Sequence, residues 1–141
     1  MKIYTSYFAK AGKFDSEKYA LIGIAGKSPT GWKMAKTHPG LEYKRLAPSW
    51  DIWKTWHDAM EKASSPEEKE QACQIYTDRF NKEILGNLNA EFVLWDLFDL
   101  AGDKDIVLIC YEKPGDFCHR HLVADWLNKT NLVEVEEYEF G

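Results

Sequence analysis

Six consecutive residues, Ile106-Val107-Leu108-Ile109-Cys110-Tyr111, carry no charged side chain and are bounded by Asp105 and Glu112. A strand wetted on one face alternates apolar and polar residues, whereas a strand covered on both faces reads as a short continuous apolar run. The run therefore predicts a central strand in a parallel sheet. Parallel neighbours cannot be joined by tight turns, so helices or long crossovers must lie between the strands.

The rest of the chain supplies those pieces. Lys2 to Tyr7 and Tyr19 to Ile24 are rich in β-branched and aromatic residues and read as strands, the second bounded by Gly26 and Ser28-Pro29. Ser49 is placed to cap a helix running to about Ala63, with apolar side chains returning at Trp53, Trp56, Met60 and Ala63. Ser65, Pro66 and Glu68 form a capping-box start, and the stripe Ala72, Tyr76, Phe80, Ile84 continues until Gly86. Asn87 or Asn89 caps a third helix through Val93, Leu94, Leu97, Phe98 and Ala101, stopped by Gly102. After Pro114-Gly115, Asp116 is the expected cap of a last helix burying Leu122, Val123, Trp126 and Leu127. Leu132 to Phe140 mixes apolar residues with four glutamates, the pattern of a charged edge strand. The expectation is one α/β domain over residues 1–141, a Rossmann-like three-layer sandwich with a mainly parallel central sheet.

Composition narrows the function classes. The 141 residues are 45% hydrophobic and 14% aromatic, enough apolar surface for an ordered core of this length. No apolar run approaches the roughly 20 residues of a membrane span, and Met1 to Gly12 lacks a signal-peptide core, which points to a cytoplasmic protein without a membrane partner. Three cysteines, Cys73, Cys110 and Cys118, are too few and too widely spaced for a disulfide framework, so reduced thiols are expected. The formal charge of -5 argues against a dedicated duplex-DNA binder. It is unevenly spread: Met1 to Ala47 holds nine Lys+Arg against three Asp+Glu, and the remainder nine against twenty.

Ligands of open parallel sheets sit at the carboxyl ends of the strands, beside the helices that follow. Here that place holds Glu112, then Cys118-His119-Arg120-His121 on the first turn of a helix. A helix start favours an anion or thiolate by roughly 0.3 to 1 kcal/mol, and Arg120 is able to add a bidentate contact. The expected site is thus one for an anionic, phosphate- or nucleotide-like compound, with Cys118, His119 and Glu112 as catalytic candidates and Arg120, Lys27 and Ser28 as ligand-binding ones. Cys118 is either a thiolate nucleophile or a core residue on the face of Leu122 and Trp126. Cys110 reads as a buried small residue, and Glu112 with Arg120 could form a structural salt bridge. A metal centre from Cys110, Cys118, His119 and His121 is disfavoured, because adjacent helical residues point apart; no cofactor is indicated. Gly26-Lys27-Ser28 is not a P-loop, since Leu21 occupies the position of its first glycine. The alternative partner is single-stranded nucleic acid, stacked on Trp32, Trp50, Trp53 and Trp56 beside Lys33, Lys36, Lys44 and Arg45. Against it, the Trp53, Trp56, Met60 spacing predicts that most of this aromatic surface is core.

Leu108-Ile109-Cys110-Tyr111-Glu112 followed by Phe117-Cys118-His119-Arg120 resembles the hallmark of the domain of unknown function 488 family, a strand ending Cys-x-Glu and a helix opening Cys-His-Arg. Pro29, Trp32, Gly40, Tyr43 and Leu46-Ala47-Pro48-Ser49 extend the resemblance over nearly the whole chain. It implies an α/β domain and a shared site at Cys110, Glu112, Cys118, His119 and Arg120, without a reaction. Many relatives end the second strand with Asp-x-Arg, where this chain has Gly23-Ile24-Ala25.

Overall fold

A computed structural model describes residues 2–32 and 40–140. Its strands are β1 (Lys2–Tyr7), β2 (Tyr19–Gly23), β3 (Leu41–Glu42), β4 (Asp105–Cys110) and β5 (Glu134–Glu137), and its main helices are α1 (Trp50–Lys62), α2 (Pro66–Arg79), α3 (Ala90–Ala101) and α4 (His119–Asn128). The sheet order is β3-β2-β4-β1-β5. All four pairings are parallel. The apolar run is the central strand, and the glutamate-rich segment lies at an edge, with Glu134, Glu136 and Glu137 blunting it.

Alternation along the strands sorts the core into two layers. Ile3, Ala20, Ile22, Ile106 and Leu108 face one side, where they pack with Ile52 of α1, Tyr76 of α2, Leu94 and Leu97 of α3 and Val123 and Leu127 of α4. Leu21, Val107 and Ile109 face the other, covered by Ala11 and Phe14 from the short 3-10 helix Phe8–Lys13 and its flank, and by Trp32. Edge-to-face rings of Tyr4, Phe14, Tyr19 and Tyr138 complete that layer. The result is an α/β, Rossmann-like three-layer fold in which all four long helices share one face. No helix among the described residues is long and apolar enough to cross a membrane.

The helix starts follow from local chemistry. Ser49 Oγ accepts the Ile52 N–H and Ser65 Oγ accepts the Glu68 N–H, each at 3.2 Å. Asn89 caps α3 through the Phe92 N–H. Three expectations differ. The second helix does not run unbroken to Gly86 but passes into a π turn at Phe80–Ile84 and a 3-10 turn at Leu85–Asn87. The widened turn lets Phe80 and Leu85, five residues apart, both bury fully. Strand β3 has only two residues, too short to leave a sequence pattern. Finally, the cap position of α4 is Cys118 rather than Asp116; Cys118 is extended, with φ -151°, and makes no side-chain cap bond.

Candidate functional site

Parallel pairing sends the carboxyl ends of β2 and β4 to the same rim of the sheet, and a cavity of about 610 Å³ opens there. Its floor is made of Cys110 at the end of β4 and Glu112 just after it, together with Cys118 and His119 at the start of α4. Ala25, Gly26 and Lys27 after β2 form one side, and Ser49 and Trp50, at the start of α1, form another. Trp53, Trp56, Tyr76, Tyr111 and Phe117 give it aromatic walls. Two helix N-termini, those of α1 and α4, therefore point their partial positive charge toward one space. The Tyr111 hydroxyl donates to the Lys27 carbonyl at 2.5 Å and pins the two strand-end loops together.

The sequence-expected residues fall into two groups. Cys118, His119, Glu112 and Lys27 line the cavity. Ser28 does not; its hydroxyl donates to Glu42 Oε2 at 2.7 Å, tying the loop to β3. Arg120 is fully buried and points away from the cavity, into β1 and β5. Its Nε and Nη2 each donate to Glu137 at 3.0 Å, and Nη1 donates to the Glu112 carbonyl. Thr5 Oγ1 donates to the same Glu137 carboxylate at 2.6 Å. A guanidinium held in this fork is not free to meet a ligand, and its carboxylate partner is Glu137 rather than Glu112.

The expected reduced thiols are corrected at two of three positions. Cys110 Sγ and Cys118 Sγ are joined as a disulfide, and Cys73 is a free thiol. Spacing of eight residues across a loop gave no signal for this pairing. Cys118 is buried in the core cluster that Leu122 and Trp126 pack against, as its core alternative expects, and its extended backbone also brings its sulfur to the end of β4. The same backbone brings His119 alongside, its Nδ1 4.0 Å from Cys118 Sγ. The objection that adjacent helical residues diverge therefore fails here: Cys110, Cys118 and His119 present ligand-type atoms within 4.8 Å of one another. In the disulfide form the sulfurs are committed to each other; only the reduced pair could hold a metal.

The electrostatics follow from burial. His119 Nε2 lies 2.7 Å from the Ile24 carbonyl, so that nitrogen carries the proton and Nδ1 of the neutral ring presents a lone pair toward the sulfurs. Burial, with Arg120 and His121 adding repulsion, pushes the imidazole down to about 4 despite the Ile24 bond. Burial raises the Glu112 carboxyl, against the opposing pull of a backbone N–H and Arg120. Glu112 Oε2 lies 4.0 Å from Cys110 Sγ, and Arg120 Nη1 3.3 Å from it.

The aromatic walls are what sequence periodicity misjudged. Trp50 is 71% exposed and Trp53 36%, although Trp53 shares a helical stripe with Trp56. They stack on each other with centroids 5.3 Å apart, and Trp53 stacks in turn on His57 at 4.7 Å. The cavity mouth takes the place of a core on that side of α1. Trp32 is buried on the opposite layer, and Lys33 and Lys36 lie outside the described residues. At Gly23 a Cβ would stand 3.2 Å from Ser28 Oγ and 3.5 Å from the Leu41 carbonyl, so a side chain there would press on the Ser28 hydroxyl.

A family model described as the active DUF488-N3 subclade matches residues 8–131. No curated protein and no solved structure shows a match.

Proposed function

The chain belongs to the DUF488 family, and from that premise we propose that it is a small enzyme or ligand-binding domain acting on an anionic, nucleotide-like compound in the strand-end cavity. One observation carries the reading: an aromatic-walled, ligand-sized space lies where two helix N-termini and Lys27 meet a cysteine, an imidazole and a carboxyl. The aromatic rings suit a planar base, while Lys27 and the helix starts suit its anionic part. The description of the subclade as active favours an enzyme over an inert receptor. In the reduced protein Cys118 is the nucleophile, bonding to an electrophilic carbon of the ligand. The start of α4 favours its thiolate, whose proton passes to solvent through the cavity, and the Glu112 carboxyl gives one to the leaving group. Arg120 and Ser28 are positioning residues in this scheme, holding the motif and the Lys27 loop.

Titration of nucleoside monophosphates, followed by tryptophan fluorescence and calorimetry, tests the reading. Saturable binding is expected, weakened severalfold by Lys27→Ala and by Trp53→Ala and weaker for the phosphate-free nucleoside. No binding, or affinity indifferent to both variants, would reject it. The exposed Trp50–Trp53 stack supports a second reading, a platform for single-stranded nucleic acid. That reading requires affinity for an oligonucleotide that falls steeply with salt.

A further inference from the structure

We infer that Cys110 and Cys118 form a thiol–disulfide exchange centre that is reduced by a small thiol entering the cavity, with Cys118 as the exchanging sulfur and Cys110 as the leaving one. The pair closes a loop between a strand end and a helix start, and both cysteines line the cavity. Both cysteines are otherwise covered, 1% and 4% exposed, so the cavity is the route by which a small thiol reaches them. The asymmetry of its surroundings assigns the two roles. Cys110 Sγ receives a hydrogen bond from Arg120 Nη1 at 3.3 Å and has the Glu112 carboxyl at 4.0 Å, so charge appearing on it is met by a fixed cation and an acid. Cys118 Sγ has the neutral His119 ring at 4.0 Å and, from the start of α4, a partial positive charge weaker than the guanidinium that meets Cys110.

The steps balance as ordinary exchange. The thiolate of the small thiol forms a bond to Cys118 Sγ, the Cys118–Cys110 bond breaks, and Cys110 departs as a thiolate that takes its proton from Glu112. A second small thiol attacks the mixed disulfide at the small-molecule sulfur. That bond breaks, Cys118 leaves as the thiolate and is protonated, and the symmetrical small-molecule disulfide departs. Two thiols are oxidised to one disulfide, and one protein disulfide is reduced to two thiols. In the reverse direction the Cys118 proton passes to solvent through the cavity. The inference is independent of what the cavity binds, but it supplies the reduced Cys118 that the nucleophilic scheme requires.

The test uses the full chain and glutathione in defined ratios of reduced to oxidised form, quenched with acid, alkylated and read by intact and peptide mass. The wild type should pass between one alkylatable thiol, Cys73, and three as the ratio becomes reducing. Cys110→Ser treated with oxidised glutathione should trap a mixed disulfide on Cys118 on the order of tenfold faster than on Cys73. Cys118→Ser should leave Cys110 slow to react. Circular dichroism on each variant establishes that it is folded, and the wild-type titration stands without any substitution. Three alkylatable thiols at every ratio would overturn the inference. So would equal trapping on Cys118 and Cys73, or one equivalent of zinc on the untagged reduced protein that shields Cys110 and Cys118 until a chelator is added.

Discussion

Two neighbouring regions of the same motif are built to opposite specifications. His119 and Cys118, though 7% and 4% exposed, line a cavity, whereas Arg120, the next residue, lies wholly inside with all three guanidinium nitrogens donating. One residue of helical advance turns the chain from the rim of the sheet to the interior. Recurrence of Cys-His-Arg in a family therefore does not imply three ligand contacts: part of the motif does chemistry and part holds the rest in place. The buried ion pair spans α4, β1 and β5 through Arg120, Thr5 and Glu137, and it presents Nη1 to the sulfur of Cys110.

The sharpest break of this comparison is on the sealed side. Arg120→Met leaves the Glu137 carboxylate without its cation and should cost roughly 3 to 5 kcal/mol in denaturant unfolding. Adding Glu137→Met should recover much of that loss, because an apolar pair avoids the desolvation cost altogether. If instead Arg120→Met unfolds at wild-type denaturant concentration, the guanidinium is not structural.

The next effect is a pH dependence at the boundary between the two regions. The unfolded His119 takes up a proton near pH 6.5, whereas the folded one resists until about 4. Between these values the unfolded chain holds the extra proton, so stability falls as the pH drops through that window and levels off below it. The loss from this group is about 3 kcal/mol. Glu112, whose carboxyl is raised, contributes in the opposite sense, losing stability as the pH rises above its ordinary value. Comparing unfolding of wild type and His119→Gln across pH 7 to 4 isolates the imidazole, and a parallel pH profile in the variant would contradict its neutral, buried state.

The smallest stability effect belongs to the open side. Trp53→Ala should change unfolding by within about 0.5 kcal/mol, since its ring is packed on other exposed rings rather than on the core, yet it should weaken ligand binding severalfold. A large stability loss would make Trp53 core after all.

What the sequence made legible is what neighbours in the chain decide. Ser49 and Ser65 announce helix starts because a cap bonds its own next turn, and Ile106 to Cys110 announces a doubly covered strand because both faces are written into one short run. The location of Cys118, His119 and Glu112 at the sheet rim was legible for the same reason. What depends on distant partners was not. Glu137 lies 17 residues from Arg120 and looks like any glutamate of a charged edge strand. The Cys110–Cys118 bond depends on Cys118 being extended, which no local pattern specifies. Trp53 was hidden by periodicity itself: the stripe marks a face that needs cover, and here a cavity mouth stands where a core would be.

The account stands on the cavity and its sulfur floor being one site. The direct measurement is the alkylation rate of Cys118 in the fully reduced protein, with and without a saturating nucleoside monophosphate, resolved by peptide mass. Protection of Cys118 with no change at Cys73 is the predicted result; equal rates at Cys118 with the ligand bound would contradict it.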